Sequence, residues 1–101
     1  MSDINKVITK DELRVYLGID YADEMINQNL ERAINTADGD LRESVADKYP
    51  VEHPLTKELA LMYASASYDQ RDLSSNESKR ANDFALKLRL YLRRVSDESS
   101  V

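Results

Sequence analysis

The twenty residues INQNLERAINTADGDLRESV, Ile26 to Val45, decide the fold class. Their apolar members are Ile26, Leu30, Ala33, Ile34, Ala37, Leu41 and Val45. They recur at steps of three and four, which places them on one face of an α-helix; a half-buried strand would alternate every second residue. Asp20 to Asp23 supply an acidic start. The periodicity runs to about Lys48, and Gly39 is a point where so long a helix could kink or divide. The end follows from Tyr49-Pro50-Val51-Glu52-His53-Pro54, because proline removes a backbone donor and disfavours helix in the residue before it.

On either side the same period continues. Upstream, Thr9 with Glu12 three residues later forms a capping-box pattern, and Asp11 and Glu12 suit a helix N-terminus. Leu13, Tyr16 and Leu17 make the apolar stripe of a helix from about Lys10, and Gly18 ends it; Val7 and Ile8 can fold back as a staple. Downstream, a third helix begins after Pro54, with Leu55, Leu59, Met62, Tyr63, Ala66 and Asp69 along one side. Ala60, Ala64 and Ser65 keep its other side small, so this most apolar stretch belongs at the centre of a bundle. A loop at Asp72-Leu73-Ser74-Ser75 leads to a fourth helix from about Glu77 to Val95, capped by Ser75 or Asn76. Its stripe is Phe84, Leu88, Tyr91 or Leu92, and Val95. Two Gly and two Pro are too few for the turns of an all-β domain. The expected fold is all-α: a compact bundle of four helices, five if Gly39 divides the second. It forms one domain over residues 1–95 with a mobile polar tail at 96–101.

Composition removes several functional classes. The chain has 101 residues and no Cys, so it carries no disulfide framework, thiolate metal cluster or Cys nucleophile. Its size supports one modest core without room for a deep private active site. No apolar run approaches the ~18 residues of a membrane span. Met1-Ser2-Asp3-Ile4-Asn5-Lys6 lacks the basic and then apolar regions of a secretory signal, so we expect a protein made and kept in a cytoplasm. The one histidine, His53, sits between Glu52 and Pro54 with no partner cluster, and reads as a surface residue. The two glycines lie far apart and form no phosphate loop. Asp38-Gly39-Asp40 is similar to the start of a calcium loop but lacks the remaining spacing and terminal Glu; Asp20 to Glu24 reads as capping and solubility. An enzyme, a cofactor and a metal are therefore not expected.

Charge is more informative. The net charge is −5. Residues 1–52 hold 12 acids and 6 bases, net −6, and residues 53–101 hold 7 acids and 8 bases, net +1. Between positions 79 and 94, Lys79, Arg80, Lys87, Arg89, Arg93 and Arg94 face only Asp83, a local +5. Such a face can simply be solvated, with Arg93 and Arg94 helped by the helix dipole. It can also dock onto an acidic partner, and an identical subunit offers one in its N-terminal half. Head-to-tail contacts of that kind close into rings when the rotation permits. The competing reading is a small helical DNA-binding or regulatory protein. Leu13 to Arg32 can be drawn as helix–turn–helix, but its reading helix would carry Asp23, Glu24 and Glu31 against one Arg32, and those carboxylates repel phosphates.

The segment Val7-Ile8-Thr9-Lys10-Asp11-Glu12-Leu13-Arg14-Val15-Tyr16-Leu17-Gly18-Ile19-Asp20 resembles the opening of the small head–tail connector proteins of tailed bacteriophages: a short Thr-capped helix, then Ile-Asp and an acidic stretch. Ile26 to Ala37 resembles their long helix. Leu59 to Arg71 resembles an Ala-, Leu- and Tyr-rich helix closed by a Tyr-x-x-Arg type motif, here Tyr68 to Arg71. Ala85-Leu86-Lys87-Leu88-Arg89-Leu90-Tyr91-Leu92 resembles the final Leu- and Arg-rich helix. The likeness spans roughly residues 5–95 and rests on the order of the four pieces; the serine-rich connection Ser74 to Ser78 departs from it. The resemblance implies a structural adaptor at the virion head–tail junction, assembled in the host bacterial cytoplasm. About twelve copies would form a ring beneath the portal protein after DNA packaging. The ring would extend the channel through which double-stranded DNA passes without sequence-specific binding, and offer a platform to tail or stopper proteins. On that footing Asp38, Asp40, Glu43 and Asp47 are expected to face the channel, where carboxylates would keep DNA from sticking. Arg89, Arg93 and Arg94 are expected at the contact with a neighbouring subunit or the portal.

Overall fold

A computed structural model describes residues 3–21 and 23–99 of the chain, with backbone alone at 97–99. A 3₁₀ turn, Asp3–Lys6, precedes four helices: α1 Lys10–Leu17, α2 Glu24–Ser44, α3 Pro54–Tyr68 and α4 Ser75–Ser99. No strand occurs among the described residues. The protein is an all-α bundle of four helices.

Local chemistry sets each boundary. At α1 the capping box is closed both ways: the Glu12 N–H donates to Thr9 Oγ1 at 3.1 Å and the Thr9 N–H to Glu12 Oε1 at 3.0 Å. Ile8 before the cap and Leu13 inside the helix are both fully buried, the pair expected of a hydrophobic staple. Gly18 takes φ 76°, and the N–H groups of Gly18 and Ile19 close on the carbonyls of Val15 and Arg14. That left-handed turn favours a residue without Cβ.

Asp23 caps α2, accepting from the Ile26 N–H at 2.8 Å. The helix runs through Gly39 undivided, so the count is four. It stops at Ser44, short of Lys48, with Val45 as its cap. Tyr49 is the physical reason, because its phenol turns back to donate to Asp38 Oδ1 at 2.6 Å, which a continuing helix would not allow. His53 is no idle surface residue. It caps α3, its Nδ1 accepting from the Leu55 N–H at 3.1 Å, and its ring meets Tyr91 of α4 edge-on at 4.7 Å. The cap of α4 is Ser74, one residue before the expected pair. The Glu77 N–H donates to Ser74 Oγ and the Ser74 N–H to Glu77 Oε1, a second capping box. α4 also continues past Val95 to Ser99; Ser100 and Val101 of the expected tail lie outside the described residues.

α3 packs against α1, α2 and α4, with α2 as its main partner. Leu59, Ala60, Met62, Ala64, Ser65 and Ala66 are buried around its circumference, which fits the small side chains that let three helices approach. The apolar face of α2 is buried as the periodicity requires, and Ile4, Val7 and Ile8 close one end of the core. α4 leans mainly on α3 through Ala81, Ala85 and Leu88. At 1.5 Å per residue its length is about 37 Å, so it forms much of a molecule measuring 50 × 31 × 18 Å. From Arg93 to Ser96 its side chains are exposed, an end that overhangs the bundle.

Candidate functional site

A cleft of about 550 Å³ lies between α2 and the end of α3, lined by residues including Thr36, Asp40, Tyr63, Gln70 and Arg71. Among its charged groups Arg71 is committed to ion pairs within the chain. Arg71 Nη1 donates to Glu77 Oε1 at 2.9 Å and its Nε lies 3.6 Å from Asp69. Asp40 is half-buried, and desolvation, with the nearby Glu43 charge second, raises its carboxyl above the ordinary value. Among the described residues no three His, Asp or Glu side chains converge as metal ligands would, and no helix is long and apolar enough to cross a membrane.

The four acids expected at a channel do not form one surface. Asp38 is 9% exposed. Its Oδ1 accepts from the Tyr49 phenol, and its Oδ2 lies 3.4 Å from Arg42 Nε. The helical phase of α2 explains this: Asp38 follows Ala37 on the core side and is tolerated there because two partners meet its charge. It has no carboxylate to offer a lumen. Asp40 opens into the cleft just described; Glu43 and Asp47 are exposed, Asp47 in the turn beyond α2.

The three arginines are all exposed on α4. Helical geometry separates them. At 100° per residue, Arg89 and Arg93 share one flank, while Arg94 falls on the other beside Lys87. Arg94 and Lys87 line a shallow depression with His53, Leu90 and Tyr91, and Arg89 Nη1 reaches the Ser44 carbonyl at 3.4 Å.

Between the two flanks stand Leu86 and Leu90, 48% and 50% exposed and one turn apart. They lie opposite the buried Ala85 and Leu88. A second outward apolar surface lies at the seam of α1 and α3, where Val15, Tyr16 and Leu61 border a groove of about 440 Å³ edged by Asp11 and Glu12. Val15 is 71% exposed, and Tyr16, placed by its spacing on the core stripe, is 49% exposed. Short α1 buries only Leu13 fully, which leaves Tyr16 outside the contact. The signal for both surfaces was present in the sequence as surplus: each helix carries more apolar residues than one face can hold.

Compared with known protein families, curated proteins and solved structures, the chain matches none.

Proposed function

We propose that this chain is a structural head–tail connector subunit of a tailed bacteriophage. In this reading it does no covalent chemistry. It acts by repetition, about a dozen copies standing in a ring beneath the portal once DNA is packaged. The ring extends the DNA channel and carries tail or stopper proteins. Its place is the virion head–tail junction, reached from the host cytoplasm.

One observation carries the proposal. An elongated helical subunit of 101 residues leaves two separate apolar surfaces in solvent, one edged by acids and the other by arginines. Such surfaces on a small helical chain mark sites of association, and two unlike surfaces on one subunit suit the head-to-tail contacts of a ring. The resemblance of the four helical segments, in order, to phage connectors supplies the setting. Glu43 and Asp47, exposed, remain as acids for the lumen, and Asp40 at the mouth of its cleft stands beside Glu43.

The test is co-sedimentation of the purified chain with a tailed-phage portal protein, and separately with duplex DNA of varied sequence. Joining the portal in a fixed ratio, with only weak, salt-sensitive DNA binding, is expected. Failure to join the portal, or tight sequence-selective DNA binding at physiological salt, would overturn the proposal in favour of a regulatory role.

A further inference from the structure

We infer that the outer face of α4 on one copy docks into the α1–α3 groove of the next copy. The inference rests on the ring reading above and names the surfaces that would build it. The α4 face presents Leu86 and Leu90, 48% and 50% exposed, flanked by Arg89 and Arg93. The groove presents Val15 and Tyr16 with Leu61 behind them; Asp11 at its edge lies 3.7 Å from Arg14 Nη2, but its side chain is 88% exposed against 25% for Arg14, so the carboxylate is the group that faces outward. Each surface therefore has an apolar centre and a charged rim, with guanidiniums reaching outward on one and the Asp11 carboxylate on the other. Glu12, the other edge, is held by Lys57.

Charge decides the pairing. Two α4 faces brought together would set Arg89 and Arg93 against their own copies, and two grooves would set Asp11 against Asp11, whereas the unlike pair sets the Asp11 carboxylate against guanidiniums. Helix-in-groove docking needs anchors one turn apart on one face, which is the spacing of Leu86 and Leu90. α4 leans mainly on α3 and its end overhangs the bundle, so its outer face is open to a second molecule. Because the two surfaces are different patches of the same chain, the contact is heterologous and repeats from copy to copy. One contact this small is weak alone, and closure of a ring adds the contacts together.

The cysteine-free chain makes the test clean. Val15→Cys and Leu90→Cys are prepared separately, both at exposed positions that leave the core intact. They are mixed at high concentration and low salt under mild oxidation. The mixed disulfide is expected to form about tenfold or more faster than either homodimer, with the preference shrinking in high salt. Arg89→Glu with Arg93→Glu in the Leu90→Cys chain should remove it. Equal rates for all three dimers, or dominance of one homodimer, would overturn the inference. The two levels separate. A chain that joins the portal without preferring the mixed disulfide defeats this contact and leaves the connector reading standing. A chain that forms the mixed disulfide but never joins the portal does the reverse.

Discussion

Replacing Tyr49 by Phe removes one oxygen from the protein and leaves the ring that packs beside it. That oxygen donates to Asp38 Oδ1 at 2.6 Å, and the two residues are 6% and 9% exposed. A hydrogen bond to a charged group contributes about 1.5–3 kcal/mol, and losing the donor strands a carboxylate where water cannot readily reach it. Arg42 Nε, 3.4 Å from Oδ2 and half-exposed, keeps part of that charge compensated, which argues for the middle of the range. Tyr49→Phe is therefore expected to cost about 2 kcal/mol, equivalent to a fall of roughly 8–16 °C in Tm for a domain of this size. Urea and thermal unfolding followed by far-UV circular dichroism would read it, with an unchanged m-value showing that the native state stays compact. A double-mutant cycle with Asp38→Asn should return a coupling of about 1 kcal/mol or more between the two positions. A cost under about 0.5 kcal/mol would refute the reasoning. Asp38 would then be hydrated and outward, and would return to the set of acids available to a channel.

Other perturbations have equally definite outcomes. Thr56 is fully buried, and its hydroxyl has no hydrogen-bond partner among the described residues. Thr56→Val, nearly the same shape, should raise stability by about 1 kcal/mol in the same unfolding assay. Gln70 ends α3 at φ 55°, with its own N–H and that of Arg71 closing on the carbonyls of Ser67 and Ala66. Gln70→Gly should relieve that left-handed residue and stabilise the protein by about 0.5–1 kcal/mol, read as a higher urea midpoint. Glu77 is lowered from 4.5 to about 2, chiefly by its hydrogen bond from Arg71 and next by the Ser74 N–H. A depressed carboxyl stabilises the fold above its unfolded value and loses that contribution as pH falls towards 2. The Tm gap between wild type and Glu77→Gln should thus be full at neutral pH and close below about pH 4.5. Asp40 has the opposite sign: burial raises it, so its charge costs stability at neutral pH. Asp40→Asn should stabilise there, and the gain should vanish in acid.

The helices were legible in the sequence because their signals are local or periodic. The Thr9–Glu12 box, the Gly18 stop and the α2 stripe each depend on residues within a turn or two, and all three stand in the structure. What escaped depends on residues distant in sequence. The end of α2 is drawn by Tyr49 reaching eleven residues back to Asp38, and no window of α2 alone contains that bond. Asp38 itself reads as an exposed acid beside Gly39 until its partners are known. Tyr16 fits the period of α1 and still faces outward, because a helix of eight residues has only Leu13 fully under its neighbours. Leu86 and Leu90 were hidden in a Leu-rich run in which either face could have been the buried one; the packing of Ala81, Ala85 and Leu88 on α3 selects it. The surplus of apolar residues and the charge asymmetry are both visible in the sequence, whereas which of those residues face outward is fixed only when burial is assigned.

Function by repetition is the central claim, and the number of copies per assembly tests it most directly. Native mass spectrometry of the chain mixed with a tailed-phage portal protein gives that number without reference to any one contact. The account predicts a single closed stoichiometry of about twelve copies per portal ring. A single copy, or no bound copy at all, would contradict it.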